Sequence, residues 1–111
     1  MNRIALTNLN QLQDIVRESK HKPVLIFKHS TRCGISRGVF SKFEKKIDSE
    51  AENMMYYYLD LLNFRDISNE ISKMFGVHHQ SPQLLVIKEG KSIADFSHYD
   101  IISLFNFKEY I

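Results

Sequence analysis

Residues 27–40 read FKHSTRCGISRGVF and hold the one cysteine of the chain. Upstream, residues 24–28 (VLIFK) are a continuous apolar run, the pattern of a strand buried on both faces. Downstream, Ile35, Val39, Phe43 and Ile47 recur every four residues with Phe40 beside them. That spacing predicts a helix over 34–48 with a core-facing stripe. Cys33 therefore stands at a strand-to-helix junction. Free cysteine often serves as a small core hydrophobe. Here its neighbours Ser30, Thr31, Arg32 and Gly34 are polar or small, the composition of a surface turn.

Working outward, residues 3–7 (RIALT) can form a short strand. Asn8 with Gln11 three residues on is a capping-box-like helix start. Leu9, Leu12, Ile15 and Val16 then line one face, and Pro23 ends that helix because it cannot continue one. Residues 54–60 (MMYYYLD) are rich in strand-forming aromatics. Asn63 can cap a helix in which Ile67, Ile71, Met74 and Phe75 point inward, and Gly76 stops it in the left-handed conformation usual after a helix end. Residues 83–98 read as two strands around a Glu89–Gly90 turn, with glycine at a positive-φ position. Asp100 can cap a last helix carrying Ile101, Ile102, Leu104 and Phe105. The order β-α-β-α-β-α-β-β-α defines an α/β protein. Right-handed crossovers give a parallel half-sheet and the hairpin an antiparallel half, with helices on both faces.

The remaining features narrow the function. A chain of 111 residues suits one domain with a real core. A net charge of +2, with no basic block interleaved with aromatics, does not point to nucleic acid. Tyr56, Tyr57 and Tyr58 read as a packed strand, since no basic groove accompanies them. The longest apolar runs, VLIF and LLVI, fall far short of the roughly 20 residues of a membrane span, and MNRIALTN lacks an apolar signal core. One cysteine cannot close an intramolecular disulfide. The expectation is a cytoplasmic protein without membrane or nucleic-acid partners, in a reducing compartment where any disulfide is transient. His21, His29, His78, His79 and His98 lack metal-ligand spacing, so no metal or resident cofactor is expected. His29 reads as a polar strand end that could tune Cys33, and His79, close to Pro82, as a candidate to line a cleft.

The chemistry of Cys33 follows from its position. The thiolate is the species that attacks a disulfide. A helix N-terminus offers unpaired N–H groups and partial positive charge, and both favour an anion. Cysteines so placed have pKa values of roughly 3.5–7.5 against about 8.5 when free. Arg32 and Arg37 add positive potential. Gly34 leaves room for an approaching sulfur, and Ser36, one turn on, is expected to donate a hydrogen bond to Cys33. Ser36 occupies the place of a second cysteine in a dithiol C-x-x-C site. An alcohol cannot displace a thiolate, so resolution must come from outside the chain.

The element order resembles the thioredoxin fold, with the cysteine between the second strand and second helix. FGVHHQSPQLLVIKEGK (75–91) looks like the stretch of that superfamily in which Gly-Val ends the third helix and a cis-proline opens the fourth strand. The resemblance implies a cis Ser81–Pro82 bond lying against the thiol. Closer still, TRCGIS (31–36) and GVHHQSPQ (76–83) resemble the signatures of a small bacillithiol-system family, YtxJ, the monothiol bacilliredoxins, over the whole chain. That likeness implies Cys33 as nucleophile, Ser36 at the resolving position and Pro82 as the cis-proline. Arg32, Gly34, Ser81 and His79 fall in the substrate-binding region, and Arg32 could grip the carboxylates of bacillithiol. The family's usual proline after the cysteine is replaced here by Gly34. The implied activity is removal of bacillithiol from modified proteins through a mixed disulfide on Cys33. Bacillithiol is then a co-substrate, bacillithiolated proteins are the clients, and free bacillithiol or an external reductase resolves the adduct.

Three other readings compete. CGIS is one residue from the CGFS of monothiol glutaredoxins, but the chain lacks their glycine pair after the fourth strand. CGISR resembles the C-G-T-S-R loop of glutaredoxin-like arsenate reductases, but Ser81 stands where those proteins carry an arginine. A non-catalytic docking module on the same fold is the third, since fold alone does not define function and an edge near Pro82 could pair with an extended peptide.

Overall fold

The structure, a computed structural model, describes residues 2–110. Its elements run β1 (Arg3–Ala5), α1 (Gln11–Glu18), β2 (Val24–His29), α2 (Gly34–Glu50), β3 (Tyr56–Asp60), α3 (Arg65–Phe75), β4 (Gln83–Lys88), β5 (Lys91–Ser97), α4 (Asp100–Ser103) and a closing 3₁₀ turn (Phe107–Glu109). This is the order the sequence predicts. The sheet order is β1-β3-β2-β4-β5. β1 and β2 flank β3 in parallel, while β4 lies antiparallel to β2 and β5 antiparallel to β4. β2 is thus central and buried along its whole length, as its unbroken apolar run requires.

Each face of the sheet has its own core. On one face Leu25, Phe27, Val39, Phe40, Phe43 and Ile47 pack with Phe105 and Phe107. On the other, Val24 and Ile26 pack with Leu12, Ile15, Ile67 and Ile71. The alternation along β2 follows from the two-residue repeat of a strand. Fully burying one such side chain contributes about 1.5–3 kcal/mol, so the two cores together hold the sheet between its helices.

Several expectations are corrected at element ends. β1 stops at Ala5 rather than Thr7, because Gln11 folds back on the chain. Its Nε2 donates to the Ala5 carbonyl, and its Oε1 accepts from the N–H groups of Thr7 and Asn8. Leu9 lies in the turn before α1 and is exposed, so the buried stripe there is Leu12 and Ile15. Ile35, in the first turn of α2, and Leu104, just past α4, are exposed as well. Neither belongs to the core stripe it was assigned to. Asn63 does not cap α3. The cap position is Phe64, and the Asn63 amide donates to Asp60 Oδ2 at 2.7 Å. Asp100 is the first residue of α4, and Tyr99 holds the cap position. Gly76 ends α3 at φ +64° as expected. The β4–β5 turn places Glu89 as well as Gly90 at positive φ, the pairing of a type I′ hairpin turn. That turn is fastened to the end of α1: the Glu89 N–H donates to the Ser19 carbonyl and the Gly90 N–H to Ser19 Oγ, both at 2.9 Å.

Candidate active site

Cys33 occupies the N-cap of α2 in extended geometry (φ −98°, ψ 123°). Its N–H donates to the Ser30 carbonyl at 3.2 Å, and its carbonyl accepts from the Arg37 N–H at 3.0 Å. The thiol makes no cap hydrogen bond, and the first turn of α2 carries no acidic residue. An anion on the sulfur would meet helix N–H groups, with no carboxylate in that first turn. Cys33 is partly exposed, and Thr31, Arg32, Gly34 and Arg37 around it are exposed, as a surface turn demands. A Cβ built on Gly34 would meet only the Arg37 guanidinium, at 3.9 Å, so the approach over this residue is open.

Ser36 departs from expectation. It is fully buried, and its hydroxyl is committed away from the sulfur. Oγ accepts from the Ser30 N–H at 3.0 Å and lies 2.7 Å from His29 Nδ1. The residue braces the loop that carries Cys33. The reason lies in β2, whose register turns His29 toward α2 and leaves its ring nitrogen facing the first helical turn.

His29 itself is buried, stacked on Phe40 with 4.9 Å between ring centres and flanked by Tyr58. Burial lowers its pKa below the usual histidine value. Asp60 opposes this, and the positive charges of Arg3 and Arg37 add to it.

Lys28, the preceding residue, points through the opposite face. It is completely buried, and its Nζ lies 2.7 Å from His79 Nδ1, with Ser68 Oγ 3.5 Å from the same nitrogen. Burial lowers the Lys28 pKa from 10.5 to about 8. The His79 pKa is lowered by burial first, then by the charges of Lys28, Arg65 and His78.

The cross-strand pair Lys28–Gln83 sets Ser81 and Pro82 just beyond the end of β2 from which the cysteine loop departs. Topology thus brings the two motifs to one end of the sheet. The Ser81–Pro82 bond is cis, as the resemblance implied. Pro82 is buried, and its carbonyl accepts from the His98 N–H at 2.9 Å, with His98 at φ +56°. Ser81 Oγ and Gln83 Oε1 are buried and have no hydrogen-bond partner among the described residues. His78 is exposed and supplies its carbonyl to the Gln83 amide. Among the described residues no three His, Cys, Asp or Glu side chains gather as a metal site, and no helix is long and apolar enough to cross a membrane. A cavity of about 450 Å³ bounded by Pro23, Ala51, Met54, Met55 and Tyr110 lies at the other end of β2 and β3, away from the thiol.

Sequence reading missed the Lys28–His79 contact. The signal was a charged residue closing a run already assigned to full burial, a placement that requires a polar partner.

The solved structures that match this architecture define its class. One, described only as a candidate oxidoreductase with a thioredoxin fold, shares 32% identity over 89% of this chain and 85% of that one, with a TM-score of 0.78. Fasciola hepatica thioredoxin matches at 21% identity and TM-score 0.72 over 94% of this chain and 92% of its own. A Schistosoma mansoni thioredoxin matches at 19% identity and TM-score 0.75 over 99% and 96%. With the cysteine at the head of α2 and the cis-proline beside the same sheet end, this is a thioredoxin-fold thiol oxidoreductase. Residues 4–104 match the family model described as Monothiol bacilliredoxin BrxC, and the chain belongs to that family.

Proposed function

We propose that this protein removes bacillithiol from S-bacillithiolated proteins in the cytoplasm, with Cys33 as the sole nucleophile. The observation that supports the reading most is one exchangeable sulfur at the N-cap of α2, with a buried, already bonded serine at the second motif position.

The steps are two thiol–disulfide exchanges. The Cys33 thiolate attacks the bacillithiol sulfur of the client's mixed disulfide. A Cys33–bacillithiol disulfide forms, and the client sulfur leaves as a thiolate that takes a proton from water. A second bacillithiol thiolate then attacks the sulfur bound to Cys33. Bacillithiol disulfide leaves and the Cys33 thiolate is restored. An external reductase supplying a thiolate serves equally. The exchange is favoured when the attacking thiol is ionised near ambient pH and the leaving thiol has the lower pKa. Arg32 is the candidate contact for bacillithiol carboxylates. Ser81 and Pro82 offer backbone to the client.

Intact-mass spectrometry tests the reading. The reduced protein is incubated with a bacillithiolated client and, in parallel, with a glutathionylated one. A bacillithiol adduct mapped to Cys33, with the client freed and Cys33→Ala inert, is the expected result. No adduct with either client would overturn it in favour of a docking role, and equal use of glutathione would remove bacillithiol specificity.

A further inference from the structure

The Lys28–His79 contact is left unused by the exchange steps, and its chemistry is constrained. A lysine ammonium has donors only and no acceptor. At 2.7 Å from Lys28 Nζ, His79 Nδ1 must therefore accept. A neutral imidazole that accepts at Nδ1 carries its proton on Nε2. His79 is an exposed residue, while the lysine bonded to its Nδ1 is entirely buried. Among the described residues, His79 is the hydrogen-bonded neighbour of that buried ammonium. The ring sits three residues before Pro82, on the loop that leads into β4.

We propose that Lys28 is a positioning residue that holds His79 as a neutral Nε2–H donor, and that this donor binds a carboxylate of the small thiol in the mixed disulfide. The proposal rests on the bacillithiol-transfer reading for its substrate and on the 2.7 Å contact for its geometry. His79 would then be a second recognition group for carboxylate, in addition to exposed Arg32. It also accounts for how the strand tolerates a lysine at its buried end, where leaving it without a partner would be costly.

Two measurements test it. Nitrogen-15 NMR of the reduced wild-type protein near neutral pH should show His79 as a single Nε2–H tautomer, and Lys28→Met should convert it to a tautomer mixture. An Nδ1–H tautomer or an imidazolium in the wild type would overturn the proposal, whatever the substrate. For the second, one client protein is loaded with bacillithiol, with thiomalate (carboxylates but no sugar) or with neutral 2-mercaptoethanol. Lys28→Met and His79→Phe should each raise KM about tenfold for the two carboxylate-bearing adducts, the loss of one hydrogen bond to a charged acceptor. The kcat, and both constants for the neutral adduct, should stay within about twofold. His79→Gln, which keeps an N–H donor, should recover part of the loss. An equal rise for the neutral adduct would reduce Lys28 to a structural role and overturn the proposal. Wild-type protein that uses the thiomalate and bacillithiol adducts equally well would overturn the bacillithiol reading alone, while variant effects on both would still support the carboxylate contact.

Discussion

Lys28 and His29 are neighbours on one strand, yet they occupy opposite worlds. His29 enters a closed compartment between β2, β3 and α2, walled by Phe27, Phe40 and Tyr58, with the Arg3 guanidinium over the Phe40 and Tyr58 rings. Among the described residues its one side-chain hydrogen-bond partner is Ser36. Lys28 enters a polar compartment against α3 and the loop before Pro82, which reaches solvent through His79. The difference teaches how one strand serves a site from two directions. The aromatic side fixes where the cysteine loop stands, through His29 and Ser36. The polar side shapes the loop beside the cis-proline, where a substrate would lie.

The largest expected contrast lies in packing. Phe40→Ala opens the aromatic compartment and should destabilise the protein by about 3–5 kcal/mol in urea unfolding, the usual cost of a buried phenylalanine. Ser68→Ala on the polar side should cost only about 1 kcal/mol. Equal losses would mean that the two compartments are equally close-packed, and the contrast would fail.

The two residues also act on opposite sides of neutrality. A lowered folded-state pKa means that the unfolded chain binds more protons between the two values, so stability rises with pH through that window. For Lys28 the window runs from about 8 to 10.5, and the gain is at most about 3.5 kcal/mol. For His29 it lies below 6.5, so stability falls as the solution is acidified through it. Lys28→Met should flatten the alkaline rise, and His29→Phe, which keeps the stack on Phe40, should flatten the acid fall. Stability measured against pH for each variant checks the assignment, and crossed effects would break it.

Ser36→Ala should cost about 1–3 kcal/mol, because it strips a partner from the buried His29 ring and the Ser30 N–H. A thermal melt reads this directly. An unchanged melt would show that water or a shifted side chain takes over the brace.

The smallest effect is expected at Gly34. It is the first residue of α2, where an amide has no partner within the helix and proline is well tolerated. Cys33 already holds the extended conformation that a following proline requires. Gly34→Pro should stabilise the protein by roughly 0.4–1 kcal/mol by restricting the unfolded chain. A loss of stability would show that the loop before α2 depends on glycine.

Much of this was legible in the sequence because it repeats. Apolar periodicity located β2, α2 and α3, Gly76 marked the end of α3, and the Glu89–Gly90 pair marked the β4–β5 turn. The cysteine and Ser81–Pro82 could be placed at one end of the sheet from element order and resemblance. What could not be read were contacts made across the fold. The partner of the Ser36 hydroxyl is seven residues away in sequence and that of Lys28 is 51 away, so no local pattern encodes either. The exposure of Leu9, Ile35 and Leu104 was missed for a related reason. Each continues a helical spacing, but each lies where the helix has outrun the sheet beneath it or has not yet begun.

Ser19 carries a consequence for folding kinetics. It joins α1 to the β4–β5 turn across 71 residues of chain, and contacts at such separation form only after a large loop has been closed. The fastening of α1 is thus expected to come late, after the central strands have paired. Ser19→Ala should accordingly speed unfolding while leaving the refolding rate nearly unchanged. The far end of the sheet from Cys33 would then govern how long the native protein persists, independently of how fast its thiol exchanges.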